Sequence, residues 1–247
     1  GAPTPITAYF ATAAKVAAFA LFLRAILVPF PEAVHQWQQI VIFISILSMA
    51  LGAIAAIGQT NIKRLMAYSS IGHMGYALLG LAAGTALGAR GVLIYLAIYA
   101  ITNLGVFVCI QAMRRGGKPV EAISDLAGLA RTDPKLAFAF SAMFLSLAGL
   151  PPLAGFFAKL YIFMAAIQAG LYVPAILGVL ASAIGLVYYL GLVKVMFFDA
   201  PVEKLDSGMG IASRVVLTLS SIFVLLFIVG ASPIITAADA AARALLP

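Results

Sequence analysis

Six long runs of this chain carry no Asp, Glu, Lys or Arg: residues 33–62, 65–89, 91–113, 136–158, 160–193 and 215–238. About 20 apolar residues in a helix are enough to cross the hydrocarbon of a bilayer. The runs are rich in Ala, Leu, Ile and Gly and lack strict alternation, which predicts helices rather than barrel strands. Only 9% of the chain is charged and 64% is hydrophobic, against about 25% charged in soluble domains. The pattern therefore predicts an all-α integral membrane protein. Its net charge of +7 reads as basic loops on one side of a membrane, not as nucleic-acid binding. The single Cys109 excludes a disulfide framework and a cysteine metal cluster.

Seven spans are expected, at about 5–28, 37–58, 62–86, 89–113, 135–168, 172–198 and 211–235. The fifth is too long for one straight crossing, and Pro151-Pro152 interrupts it. Two prolines remove two backbone donors and crowd the preceding turn. Such a break is tolerated in a membrane where protein or a wet cavity satisfies the freed groups, and discontinuous helices mark ion sites in transporters. A plain proline kink is the other reading.

With seven spans the loops alternate sides. One side collects Lys63, Arg64, Arg114, Arg115, Lys118, Arg131, Lys135, Lys194, Lys204 and Arg214, and the other Arg24, Arg90 and Arg243. Basic loops favour the cytoplasm, which puts the start of this segment in the cytoplasm and its end outside. The polar stretch from Arg114 to Lys135 reads as a solvated connector. Nothing at Gly1–Pro5 reads as a leader, and the residues are expected to continue a longer protein whose first part lies ahead of Gly1.

Two of the fifteen Lys and Arg residues fall inside spans: Lys15, about mid-way along the first, and Lys159, just past the double proline. A cation at such depth costs at least a few kcal/mol. Buried lysine loses hydration, which favours the neutral amine and suits a group that takes up and releases a proton. Snorkelling to the interface is the competing reading for Lys15. Ser69, His73 and Tyr76 are spaced to share one helix face. His73 near mid-depth can pass a proton between its two nitrogens, or serve only as a hydrogen-bonded packing residue. Tyr95, Tyr99, Thr102 and Asn103 gather on neighbouring positions of the fourth span, as helix glue or as a place for water; Tyr188 and Tyr189 have the same two readings. Lys63 either flanks the third span or stands at a proton entrance; Arg64 reads as flanking charge. All eight acidic residues fall in loops or near span ends, so no carboxylate inside a span pairs with either lysine. No nucleotide, flavin, haem, iron–sulfur or metal motif is present, and no redox chemistry is expected of this chain by itself.

Four stretches carry a resemblance: Gly1-Ala2-Pro3-Thr4-Pro5-Ile6-Thr7, Ala11-Thr12-Ala13-Ala14-Lys15, the run Gln59 to Tyr76 around Lys63-Arg64-Leu65-Met66-Ala67-Tyr68-Ser69, and Ser146 to Lys159 around Gly149-Leu150-Pro151-Pro152. Together they resemble the antiporter-like membrane subunits of bacterial respiratory complex I, the proton-pumping NADH:quinone oxidoreductase. The likeness runs along essentially the whole chain. One sister subunit typically has glutamate where Lys159 stands, and another is longer at its end with a lateral helix; related sodium/proton antiporters share the motifs more loosely. The resemblance implies a fold of fourteen helices in two inverted repeats, of which this chain holds helices eight to fourteen, residues 1–247, as the C-terminal part of one proton-translocating domain. It implies Lys15 as the central lysine, Lys159 as the lysine of the broken helix, and His73 on the wall of a water-filled path. The family's buried glutamate and a further lysine would lie ahead of Gly1. It also implies a bacterial inner-membrane location, neighbouring antiporter-like and small membrane subunits as partners, and NAD, FMN, iron–sulfur clusters and quinone in other subunits, with no cofactor here. A secondary monovalent cation/proton antiporter and a purely structural membrane subunit are the rival readings.

Overall fold

A computed structural model describes residues 2–30, 33–206 and 208–245. The elements in order are α1 (Thr4–Ala11), α2 (Ala13–Leu27), α3 (Val34–Ile57), α4 (Ile62–Ala82), α5 (Ala86–Ala112), a hairpin of β1 (Arg114–Arg115) and β2 (Lys118–Pro119), a 3-10 turn at Ile123–Leu126, α6 (Leu129–Thr132), α7 (Pro134–Ala148), α8 (Ala154–Gln168), α9 (Tyr172–Phe198), α10 (Ile211–Gly230) and α11 (Ser232–Leu245). Counting α1–α2 as one length, five helical lengths among the described residues are long and apolar enough to cross a membrane; α7 and α8 are shorter apolar helices.

Local chemistry accounts for the helix ends. The Asn61 side chain accepts from the Lys63 and Arg64 amides at the start of α4, and Thr85 accepts from Gly88 at the start of α5. Asp133 caps α7, whose first residue is Pro134, a position where the missing N–H costs nothing. Gly149 ends α7 in the left-handed conformation at φ +88°, which favours glycine. The prolines fall in the gap before α8, and their peptide bond is cis.

α4 and α5 form the buried centre, with most of their residues enclosed. α3 and α4 pack almost backbone to backbone. A Cβ at Gly52 would stand 2.4 Å from the Gly72 nitrogen, and Ser45 donates to the Gly75 carbonyl at 2.7 Å. Small residues permit such close approach where two apolar helices have little hydrophobic reason to associate. The outer faces are apolar: Ile40, Phe43, Leu47 and Ile54 on α3, Val173, Ile176 and Leu180 on α9, and Leu219, Ile222 and Leu226 on α10 are exposed. That distribution suits contact with lipid.

Three sequence readings are refined or corrected. The first span is present over Thr4–Leu27 but interrupted: at Thr12, with φ −122° and ψ −80°, the backbone leaves the helix and α2 restarts. No proline or glycine marks that break. The stretch from Arg114 to Lys135 is not a bare solvated connector. Leu126 and Leu129 are buried, and the stretch docks on its neighbours. Ile62 donates to the Glu121 carbonyl at 2.9 Å and Ile123 to the Thr60 carbonyl at 2.8 Å, Gly128 donates to the Val195 carbonyl at 3.1 Å, and Asp206 accepts from the Gly116 and Gly117 amides at 3.0 and 2.8 Å. Burying two leucines and pairing backbone groups offsets the loop's ordering cost. Finally, α10 is followed by a further helix, α11, which buries Ala238 and Ala242. It is tied to the head of α5 by Arg90–Asp239 at 3.9 Å and carries its own Asp239–Arg243 pair at 2.9 Å.

Candidate functional site

The break between α7 and α8 fixes Lys159. The last carbonyls of α7 have no helical partner, and one of them, that of Ala148, accepts from Lys159 Nζ at 2.8 Å. Nζ also donates to Ser182 Oγ of α9 at 2.7 Å and stands 5.1 Å from the centre of the Tyr76 ring. A cation at a helix C-terminus and over an aromatic face is favoured on both counts. Lys159 is 7% exposed. Gly149 leaves room for its stem, since a Cβ there would lie 2.9 Å from Lys159 Cδ.

Lys15 sits three residues beyond the Thr12 break and is half-buried. Its Nζ donates to Ser70 Oγ at 2.5 Å, and Ser70 is 2.7 Å from the Tyr99 hydroxyl. Tyr99 donates to the Ala11 carbonyl at 2.9 Å, so its oxygen is left to accept from Ser70. Asn103 donates to Thr12 Oγ1 at 2.9 Å and to the Tyr99 oxygen at 3.3 Å. The same residues thus hold the break and order a chain of hydroxyls running from Lys15. Thr102 belongs to neither, bonding only the Ile98 carbonyl of its own helix at 2.8 Å.

His73 lies between these two ends. Its Nδ1 is 2.6 Å from the Tyr95 hydroxyl and its Nε2 3.1 Å from the Tyr189 hydroxyl; Tyr189 also hydrogen-bonds Ser69. The Tyr99 and Tyr76 rings lie 5.3 and 6.1 Å from the imidazole, centre to centre. The shared face read for Ser69, His73 and Tyr76 is present: Ser69 and His73 reach one tyrosine, and Tyr76 lies between His73 and Lys159. Two small cavities flank the histidine, each with room for about one water. One is lined by Tyr95, Tyr99, Thr102 and Ser146, the other by Ser69, Tyr76, Tyr188 and Tyr189, and both by His73 and Lys159.

Lys63 is not part of this group. It forms an ion pair with Glu121 at 2.5 Å, and Asn61 donates to the other oxygen of that carboxylate at 3.1 Å. The hydrogen bond from Lys63, then that from Asn61, holds the Glu121 carboxyl below its usual range. Arg64 is exposed. Among the described residues neither Lys15 nor Lys159 pairs with a carboxylate, and no His, Cys, Asp and Glu cluster could hold a metal ion. Sequence reasoning missed Ser70 and Ser182 as the lysines' partners. A serine in an apolar helix gives no periodic signal, and only the folded chain, with the long Lys15 side chain reaching α4 and α9 packed against α8, brings each hydroxyl to an amine.

The family model described as "NADH:quinone oxidoreductase/Mrp antiporter, TM" matches residues 1–185. The NADH-quinone oxidoreductase subunit N of Parvibaculum lavamentivorans is 59% identical over 247 residues, covering 100% of this chain and 51% of that protein. A chain of respiratory complex I from Thermus thermophilus superposes with a TM-score of 0.78 at 36% identity, over 92% of this chain and 49% of that one. A chain of the membrane-bound sulfane sulfur reductase, an archaeal respiratory membrane complex, gives a TM-score of 0.84 at 26% identity, over 99% of this chain and 50% of its own. The chain spans about half the length of the curated relatives it matches.

Proposed function

Because this chain belongs to the transmembrane family of NADH:quinone oxidoreductases and Mrp antiporters, we propose that it is the C-terminal half of a proton-translocating subunit of NADH:quinone oxidoreductase. Electron transfer from NADH to quinone takes place in partner subunits, which hold NAD, FMN, iron–sulfur clusters and quinone; this half carries no cofactor. Its partners are a neighbouring antiporter-like subunit and small membrane subunits, in a bacterial inner membrane. Identity to proteins named as subunit N of that enzyme supports this reading.

The observation that carries it is the placement of two amines, Lys15 and Lys159, each hydrogen-bonded to a serine hydroxyl, with His73 packed against Tyr99 of the first network and lining the cavities beside the second amine. In this reading redox energy released elsewhere shifts charge along the membrane, and mutual repulsion moves protons on and off the two lysines. Lys15 passes protons between half-channels, His73 relays them, and Lys159 stands at the outlet or at the link to the neighbouring subunit. Lys63, paired with Glu121, lies at the entrance. Residues 1–247 form seven crossings, helices eight to fourteen of the family fold, with α1–α2 one crossing and α7–α8 another. The segments near 60–63, 114–128 and 195–206 touch one another, which supports a single basic, cytoplasmic end, the start of the segment on that side and its end outside.

The family description also names Mrp antiporters, which keeps a secondary monovalent cation/proton antiporter as the second reading. Purification of the full-length protein from its own membranes separates them. Co-purification with iron–sulfur subunits, and no sodium/proton exchange by the isolated subunit in vesicles, is the expected result. Exchange activity with no redox partners would overturn the proposal.

A further inference from the structure

His73 and Lys159 line both cavities, and among the described residues His73 is hydrogen-bonded to a phenol of each. Tyr95 lines the first cavity and Tyr189 the second, and each hydroxyl is within hydrogen-bond reach of a different ring nitrogen, at 2.6 and 3.1 Å. Neutral imidazole has one N–H and one lone pair. It must therefore donate to one tyrosine and accept from the other, so the order Tyr95–His73–Tyr189–Ser69 always points one way. We propose that Tyr95 and Tyr189 are relay residues of a single-file proton step through His73, and that this step joins the two cavities. The inference rests on the proton-translocating reading above and names two residues that reading does not use.

The step balances without any group beyond water. In the starting tautomer Nε2–H donates to the Tyr189 oxygen, and Nδ1 accepts from the Tyr95 hydroxyl. A hydrated proton in the first cavity protonates the Tyr95 oxygen while the Tyr95 proton passes to Nδ1. Nε2 gives its proton to the Tyr189 oxygen, whose own proton passes to Ser69 and so to water in the second cavity. One proton has crossed, no charge is left on the ring, and the imidazole is the other tautomer. Hydroxyl rotation and tautomer exchange must then reset the chain before a second proton follows. Removing either hydroxyl breaks the file on one side only. The lysines can still charge and discharge, but the passage through His73 from one cavity to the other is lost.

The test uses the intact enzyme with Tyr95→Phe, Tyr189→Phe, the double change, and His73→Phe in the full-length subunit. Proton pumping and its solvent deuterium isotope effect are read in sealed vesicles. Each tyrosine change is expected to slow pumping about tenfold, short of the full contribution of a positioned proton-transfer group because water can partly stand in. The isotope effect should rise, and the double change should be no worse than the slower single one, as for two links in one file. Tyrosine variants that pump normally, or that lose activity only in step with lost assembly and an unchanged isotope effect, contradict the relay. If that result comes with pumping still lost in Lys15→Ala and Lys159→Ala, the function stands and only the relay falls. If both lysine changes and His73→Phe also pump normally, the function itself falls. Should a phenylalanine variant not assemble, 3,5-difluorotyrosine at the same position keeps the ring and the hydroxyl while making it more acidic. An altered isotope effect is then expected, and an unaltered one overturns the proposal.

Discussion

Lys159 reaches back across the α7–α8 break to donate to the Ala148 carbonyl at 2.8 Å, so the amine sits on the helix end that the break creates. The double proline and the buried cation are therefore one device. The interruption frees a carbonyl, and the lysine occupies it while keeping further donors for Ser182 and the adjoining cavities. At the Thr12 break the Ala11 carbonyl is taken instead by Tyr99, and Lys15, which follows closely, donates to Ser70.

Gly149→Ala tests the turn on which that device depends. Alanine at φ +88° costs roughly 1–2 kcal/mol in backbone strain, and its Cβ would press on the Lys159 stem at 2.9 Å. The full-length subunit should lose thermal stability by about that amount, read from unfolding in detergent, and should also lose part of its proton pumping. Wild-type behaviour in both would remove Gly149 from the argument.

Asn103→Leu removes the donor that ties α5 to Thr12 Oγ1 at 2.9 Å and to the Ala11 carbonyl at 3.4 Å. Hydrogen bonds between membrane helices are each worth about 0.6 kcal/mol, so a loss near 1 kcal/mol is expected for the two. The more telling readout is hydrogen exchange at residues 13–16, which should quicken as the break loses its brace. Unchanged exchange would mean that the break holds itself.

The pairing of Lys63 with Glu121 carries a pH dependence. The carboxyl is held below its ordinary range by that lysine and by Asn61. Its contribution to docking the 114–126 stretch is therefore complete above the ordinary carboxylate value of about 4.5 and lost as pH falls through the lower, folded value. Amide exchange at Ile62 and Ile123 should be flat from neutral pH down to that range and rise below it, after correction for intrinsic rates. Glu121→Gln should show the faster exchange at every pH. A rise already at pH 6 would assign the docking to another group.

Much of this arrangement was legible beforehand, and the reason differs by element. Charge-free runs gave most of the helices, because a long apolar stretch in a bilayer has few other ways to satisfy its backbone. The prolines at 151 and 152 announced the α7–α8 gap, and the i, i+4, i+7 spacing announced the face of Ser69, His73 and Tyr76. The Thr12 break was hidden, since Ala-Thr-Ala-Ala has no breaker and is held open by Tyr99 and Asn103, more than eighty residues away. α11 was hidden because its alanines and single aspartate give a weak apolar signal, and Arg90 supplies its partner from α5. Ser182 and Tyr189, seven residues apart on α9, became visible as partners of Lys159 and His73 only once the helices were packed.

The central claim is that Lys15 and Lys159 carry protons. Its most direct test is the number of protons pumped per quinone reduced by the intact enzyme in sealed vesicles, with Lys159→Ala, Lys15→Ala and Lys159→Arg in the full-length subunit. Arginine does not give up its proton in proteins, so all three changes should lower pumping and coupled quinone reduction about tenfold or more, as expected on losing a positioned proton-transfer group. Normal pumping with normal coupled turnover in the two alanine variants, or full activity with arginine at 159, would contradict it.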